Sequence, residues 1–309
     1  TFGYREGQLP VTEDLASRLL RLPVFYSLGQ KEQEEIVGRI AQFFRGPVLD
    51  SSLSRPTVPG LEFLPWDTDH FGFPVGRIAS EVPDSELRKI LEFARLAGYC
   101  LIYYRSTQNR IVEDGLLRHF GGLLVDNAVT FEKQLRNADP SNTPAIQDHG
   151  NIAVLTRAQI PNESFLDELA IVAGQFSRFF QDLKVPRVKA QELYRLWGRK
   201  ILTGELADEV FVLTEKDSQT EPIGFVAIKI DGNAARVPLI CVAPKYQGEG
   251  LGRMLMSYAE FFAKQRACNS LKVTTQFRNK AACRLYEKMG YVPLLLENVY
   301  HFWLQDVRA

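Results

Sequence analysis

Apolar and polar positions in the second half of the chain fall into short strands and amphipathic helices in a definite order. Ile152 to Leu155 reads as a first strand, and Pro161–Val172 and Gln191–Leu202 as two helices. Glu209–Leu213, Pro222–Ile230 and Ala235–Val242 then read as an antiparallel meander, with Asp231-Gly232-Asn233 as a hairpin turn. Met254 to Arg266 has the spacing of a helix, and Ser270 to Thr275 that of another strand. A last helix opens at Asn279, a good N-cap, and runs on apolar Ala282, Leu285, Tyr286 and Met289 until Gly290 stops it.

Between the strand ending at Val242 and the helix from Met254 lies Ala-Pro-Lys-Tyr-Gln247-Gly248-Glu249-Gly250-Leu251-Gly252-Arg253. A glycine turn feeding a helix N-terminus offers unpaired backbone N–H groups at the positive end of the helix dipole, a ready site for a pyrophosphate. Residues without a Cβ let the backbone approach a phosphate closely. The run lacks the closing Gly-Lys-Ser/Thr of a nucleotide triphosphatase loop and is not the dinucleotide pattern Gly-x-Gly-x-x-Gly.

The Gln247-x-x-Gly250-x-Gly252 spacing resembles the acetyl-CoA loop of the GNAT N-acetyltransferase superfamily. The Asn279 helix with Tyr286 two turns on, and its Gly290-Tyr291 ending, resemble the helix that follows in that family. The resemblance implies an α/β (α+β) GNAT fold and acetyl-CoA as co-substrate. It implies that Ile240, Cys241, Val242 and the run from Gln247 to Arg253 bind acetyl-CoA. A backbone N–H near Cys241 or Val242 is then expected on the thioester carbonyl. It also implies that Tyr286, on the helix capped by Asn279, is the general acid protonating the departing thiolate.

A faint repeat runs through the chain. Leu101–Arg110 aligns with Leu271–Lys280, Leu101 to Leu271 and Asn109 to Asn279 at one offset. A helical segment precedes each, Glu86–Ala97 and Met254–Arg266, and a helix, a glycine and a final strand follow each. At that offset Leu116 stands where Tyr286 stands, and the first copy has no glycine loop. The expectation is a degenerate GNAT-like half-fold, without acetyl-CoA, preceding the catalytic one. Three regions follow: a helical arm and linker at 1–50, the degenerate domain at 60–136, and the catalytic domain at 151–309. Linker compositions stand at 46–60 and 137–150.

Composition narrows the partners. Among 309 residues, 37 basic groups balance 37 acidic ones, with no basic stripe for a nucleic acid and no polybasic membrane patch. No apolar run approaches the roughly 20 residues of a membrane span, and the expected location is the cytoplasm. Four cysteines form no Cys-x-x-Cys pair and four scattered histidines give no metal spacing, so no metal is expected.

A second resemblance concerns the acceptor. Leu64-Pro-Trp-Asp-Thr-Asp-His-Phe-Gly-Phe-Pro-Val-Gly-Arg77, Phe176–Asp182 and Tyr194-Arg-Leu-Trp197 are similar to dTDP-fucosamine acetyltransferases. That family acetylates the amino group of a dTDP-4-amino-4,6-dideoxyhexose. The resemblance implies a nucleotide-sugar substrate, with Arg178 pairing to the diphosphate as a guanidinium fork does. Phe179, Tyr194 and Trp197 are expected to stack on thymine or sugar. Without it, the same residues read as a packed amphipathic helix pair.

Residues 1 to 45 resemble the C-terminal tail of PLP-dependent sugar aminotransferases, whose remainder is absent from this sequence. The chain opens on Thr1 rather than Met, so a fusion remnant or a trimmed chain is expected. A homodimer and a link to a sugar aminotransferase stay open. So do acetylation of another small-molecule or peptide amine, a covalent route through Cys283, and a non-catalytic GNAT-like module. The expected mechanism is direct transfer in a ternary complex; no acidic residue is singled out as base, and a water chain can serve.

Overall fold

Two parallel strand pairs and two exchanged strands organise the chain in its computed structural model, which describes residues 58–135, 151–217 and 221–305. The arm at 1–50, with its aminotransferase-like segment, and the linker at 137–150 lie outside the described residues. The first half runs β1 (Leu61–Phe63), α1 (Pro65–Phe71), β2 (Val75–Ile78), α2 (Asp84–Leu96), β3 (Leu101–Thr107), α3 (Asp114–His119) and β4 (Gly122–Gln134). The second opens with β5 (Ile152–Thr156), α4 (Asp167–Gly174), α5 (Arg178–Gln181), α6 (Arg187–Leu202), β6 (Glu209–Glu215) and β7 (Pro222–Asp231). It continues with β8 (Ala234–Val237), β9 (Ile240–Val242), α7 (Leu251–Gln265), β10 (Ser270–Gln276), α8 (Lys280–Lys288) and β11 (Val292–Trp303).

Among the described residues the strands form one 11-stranded sheet, ordered β1-β2-β3-β11-β4-β10-β8-β7-β6-β5, with β9 paired to β7 off this path. Each half contains a parallel pair joined through a helix. β2 runs with β3 from Val75↔Leu101 to Arg77↔Tyr103, and β8 with β10 from Ala234↔Ser270 to Val237↔Val273. Each half then adds a helix and a long strand. Those long strands are exchanged: β11 pairs with β3, β4 pairs with β10, and the two pair with each other.

Side chains follow the exchange. Val129 and Phe131 of β4, and Leu135 just after it, join the second-half core around α7 and α8, which includes Tyr286. Tyr300 and Phe302 of β11 join the first-half core with Leu116 and Phe120. Burying both faces of such strands is a main source of stability, roughly 25 cal/mol per Å² of apolar surface. An aromatic seam of Phe71, Phe73, Tyr103, Phe179, Tyr194 and Trp303 packs α5 and α6 onto the first half. No helix among the described residues is long and apolar enough to cross a membrane.

Two expected elements differ. The strand read at Ala235–Val242 is two strands, because Pro238 has no N–H to give a ladder and the chain turns there. The helix read from Pro161 begins at Asp167 instead. The Asn162 side chain takes both the N–H and the hydroxyl of Ser164, at 3.1 and 2.8 Å, and holds that stretch in a turn.

Candidate active site

The break at Pro238 makes a cleft. Pairing between β8 and β10 ends at Val237↔Val273, after which β9 follows β7 alone. A cavity of about 930 Å³ opens there, bordered by β9, the end of β10, the glycine loop, α8 and, at its far end, α5, α6 and β4.

β9 offers two backbone units to this cavity. Bonded and non-bonded pairs alternate along an antiparallel ladder. Ala243 N–H donates to Ile223 O at 2.8 Å, and Ala227 N–H to Leu239 O at 2.9 Å. Cys241 therefore belongs to the set bonded to β7, while Ile240 and Val242 turn their N–H and C=O groups toward the opening. Of the two positions expected for a carbonyl-holding N–H, the ladder leaves Val242 available and occupies Cys241.

The Gln247 amide donates to Val242 O at 3.0 Å and ties the loop to β9. Gly248 and Gly250 have φ of 88° and 84°, a region L side chains avoid. Gly250 is the N-cap of α7 and supplies no side-chain acceptor, so the first N–H groups of the helix stay open for an anion. Gly252 has a different task. A Cβ there would stand 3.0 Å from Leu285 Cδ2, so the glycine lets α7 lie close against α8. Gln247, Gly248, Gly250, Leu251, Gly252 and Arg253 all border the cavity, as do Ile240, Cys241 and Val242. Glu249 is exposed and does not line it.

Asn279 caps α8 by accepting from Ala282 N–H at 3.2 Å. That fixes the helix so that Lys280, Arg284 and Lys288, spaced along one face, line the cavity. Tyr286 also lines it while only 2% exposed. Its ring lies 5.6 Å from Phe131 and 6.0 Å from Tyr291, centroid to centroid. Burial pushes the phenol's pKa well up, so the group stays a protonated donor. Leu116, its counterpart in the repeat, is core. Burial also raises the Cys283 thiol, whose sulfur faces Gln276 O at 3.7 Å, and raises Cys241 to about 12.

The far end holds polar atoms without partners. Asp126 Oδ1, Ser177 Oγ and Arg178 Nε are buried, unpaired among the described residues, and belong to residues lining the same cavity. Unsatisfied buried groups are rare, and three in one cavity point to a ligand. Burial raises Asp126 to about 6, against the pull of Arg278, Arg105 and Arg178. The Arg178 guanidinium stacks on Tyr103 and Phe179, 4.3 and 4.5 Å from their centroids. Phe179 and Tyr194 line the cavity but are 3% and 5% exposed, locked in the aromatic seam, while Trp197 is half-buried. Asp126, Arg105 and the α8 cations had no local sequence signal, and Arg77 stood in the Leu64–Arg77 stretch without being read as a site residue. Among the described residues no three His, Cys, Asp or Glu side chains gather as a metal site.

Residues 174–291 match the model of the acetyltransferase (GNAT) family. The dTDP-fucosamine acetyltransferase of Escherichia coli O6:H1 is 25% identical over 238 residues, 76% of this chain and 94% of that protein. The spore coat polysaccharide biosynthesis protein SpsD of Bacillus subtilis is 28% identical over 136 residues. That match covers 44% of this chain and 46% of SpsD, so the chain spans less than half of that relative. A conserved Staphylococcus epidermidis protein of unknown function shares the fold, with a TM-score of 0.53 at 13% identity, over 82% of this chain and 96% of that one.

Proposed function

We propose that this chain, an acyltransferase of GNAT fold, moves the acetyl group of acetyl-CoA directly onto the amino group of a nucleotide-activated amino-deoxysugar. The observation that carries the reading is the group of unpaired buried atoms on Asp126, Ser177 and Arg178, at the far end of a cavity whose near end is a glycine loop. The acceptor end is lined by Arg77, Arg105 and Arg178, which suits an anionic acceptor and repels a polycationic antibiotic. The names of the E. coli and B. subtilis relatives support a sugar acceptor in polysaccharide synthesis.

The glycine loop and the N-terminus of α7 receive the pyrophosphate of the co-substrate, with Arg253 and the α8 cations beside it. Val242 N–H donates to the thioester carbonyl as its oxygen gains charge. One such donor contributes about 3 kcal/mol in comparable sites. Asp126 takes a proton from the sugar ammonium, the free amine forms the C–N bond, and the C–S bond breaks. Tyr286 gives its proton to the sulfur and recovers one from the nitrogen, which sheds its extra hydrogen as the amide forms, while Asp126 returns its proton to water. A phenol is a weaker acid than a thiol in water and burial raises Tyr286 further, so its proton moves only as the C–S bond breaks and charge gathers on a sulfur desolvated in the same cavity. The high pKa of both nearby thiols favours this direct route over an acyl-cysteine.

The test is thiol release from acetyl-CoA with a panel of acceptors: dTDP- and UDP-linked amino sugars, the free amino sugars, an aminoglycoside and a peptide. The expected result is turnover confined to nucleotide-linked amino sugars. Turnover confined to the aminoglycoside or the peptide overturns the reading.

A further inference from the structure

A second cavity, about 700 Å³, lies where the first half repeats the geometry of the cleft. β2 and β3 run parallel from Val75↔Leu101 to Arg77↔Tyr103 and then part, as β8 and β10 do. The second cavity opens at that parting, between Arg77–Glu81 on one side and Tyr103–Thr107 on the other. It stands where a co-substrate cleft would stand had this half kept one.

The phosphate end of that vestigial cleft is closed. The helix that follows β2, α2, begins with Asp84 and Glu86 in its first turn, where α7 has glycines and no acid. Asp84 is held by Arg110 at 2.8 Å, and its other oxygen accepts from Glu113 N–H at 3.3 Å. Carboxylates at a helix N-terminus exclude a pyrophosphate there. The cavity is thus free for something other than a second acetyl-CoA.

The two cavities meet at charged side chains. Arg77, Arg105, Arg178 and Trp197 line both. Arg178 is half-buried with its Nε covered and unpaired, has no carboxylate within ion-pair distance among the described residues, and lies against the rings of Tyr103 and Phe179. Asp67 and Asp126 attract it without a direct ion pair, so its fork is open to an anion. Arg77 and Arg105 each bind a single carboxylate oxygen, Glu62 Oε2 and Glu297 Oε2, at 2.7 and 2.9 Å. Each guanidinium has five N–H donors, so most remain for another anion. A ligand whose ends lie in different cavities crosses beside these guanidiniums, whose remaining N–H donors suit a diphosphate. Beyond the crossing, the second cavity offers indole at Trp66 and Trp197 and carboxylates at Asp67, Glu81 and Glu297. Flat apolar surface suits a base, and carboxylates suit ribose hydroxyls and base N–H groups.

Resting on the nucleotide-sugar reading, we propose that the second cavity is the nucleoside site. The diphosphate crosses at Arg77, Arg105 and Arg178, and the amino sugar reaches back to Asp126 in the first cavity. The degenerate half then has a substrate-binding role, with its emptied co-substrate cleft reused for the nucleotide handle.

The experiment is calorimetric titration of dTDP and UDP, with no sugar attached, onto the full chain saturated with CoA. Ala79, exposed and lining the second cavity alone, is changed to Phe to fill it. Binding of one nucleotide per chain is expected, weakened at least tenfold in Ala79→Phe while CoA affinity is unchanged. Thr107→Trp, on the facing strand, replaces Ala79→Phe if that variant loses CoA binding. Equal nucleotide affinity in wild type and variant overturns this site and leaves the nucleotide-sugar reading standing. Nucleotide binding only in the absence of CoA puts the ligand in the first cavity and also overturns it. No nucleotide binding to wild type, with turnover of an unlinked amine, removes the reading itself.

Discussion

Asn127 on β4 and Asn298 on β11 are register partners, and the Asn127 amide donates to Asn298 Oδ1 at 2.8 Å. They sit on the two final strands of the repeat, each of which is hydrogen-bonded to the half it does not follow in sequence. The Asn298 amide also reaches Thr107 O, Gln108 O and Arg110 O, each at 3.2 Å, across the first half. The exchange is therefore fastened by side chains as well as by ladders.

Separation of the halves should destroy both. In a fragment of residues 151–309, β11 has lost both of its neighbours, β3 and β4, and β10 has lost β4. Such a fragment should lack a cooperative thermal transition and should not bind acetyl-CoA. A fragment that melts cooperatively and binds with the affinity of the full chain contradicts the exchange as a requirement for folding. Asn298→Ala in the full chain should cost about 1 kcal/mol, because the Asn127 amide loses its acceptor and Thr107 O and Gln108 O lose a donor, while Arg110 O keeps the Ser106 hydroxyl.

Gly250 carries the α7 N-terminus at φ 84°. A β-branched residue is disfavoured there by about 1–2 kcal/mol and presents a branched side chain to the anion. Gly250→Val should therefore raise the acetyl-CoA KM strongly while the acceptor KM changes little. Unchanged acetyl-CoA affinity in a folded Gly250→Val protein would falsify the loop's assignment.

Tyr286→Phe removes one hydroxyl and almost no volume from a packed position between Phe131 and Tyr291. Binding of both substrates should persist. General acid catalysis contributes about 10²–10⁴-fold, and a loss in that range is expected in kcat and kcat/KM together, since the proton moves only in the transition state. A variant that keeps nearly full kcat assigns the acid to another group.

Legibility in the sequence followed the range of the interactions. The Gln247–Gly252 loop and the Asn279-capped helix are built from neighbours in the chain, and both could be read from spacing. The β8–β9 break turns on one residue, Pro238, within an otherwise continuous apolar run. The exchange of β4 and β11 leaves no trace in either strand's own pattern, because its partners come from the opposite half. Asp126 carries no motif of its own in the sequence. Its chemistry is made by burial beside Arg105, Arg178 and Arg278, which are distant in sequence. Phe179 and Tyr194 show the converse: aromatic residues read as stacking surfaces are mostly committed to the seam between halves.

Asp126 makes two linked predictions about pH. As base it must be ionised, so kcat/KM should rise with pH through about 6, and Asp126→Asn should lose both activity and that limb. Its effect on stability has the opposite sense. A carboxyl raised from 3.8 to about 6 binds its proton more tightly in the folded state, so its contribution is full below 3.8 and is lost as pH rises through about 6. His301 does the reverse. Fully buried, with Nδ1 2.7 Å from Asp182 Oδ2, it is pushed down from 6.5 to about 4, mainly by burial. Its contribution is full above 6.5 and is lost as pH falls toward 4. Each shift corresponds to about 3 kcal/mol, since one pKa unit is about 1.4 kcal/mol. Between pH 4 and 6 the two slopes oppose one another. Asp126→Asn removes one slope and leaves the other, so its Tm should fall more steeply than that of wild type on acidification from pH 6.5 to 4.5. Parallel Tm profiles for the two proteins would show that Asp126 does not titrate near 6, and would remove its role as base at the same time.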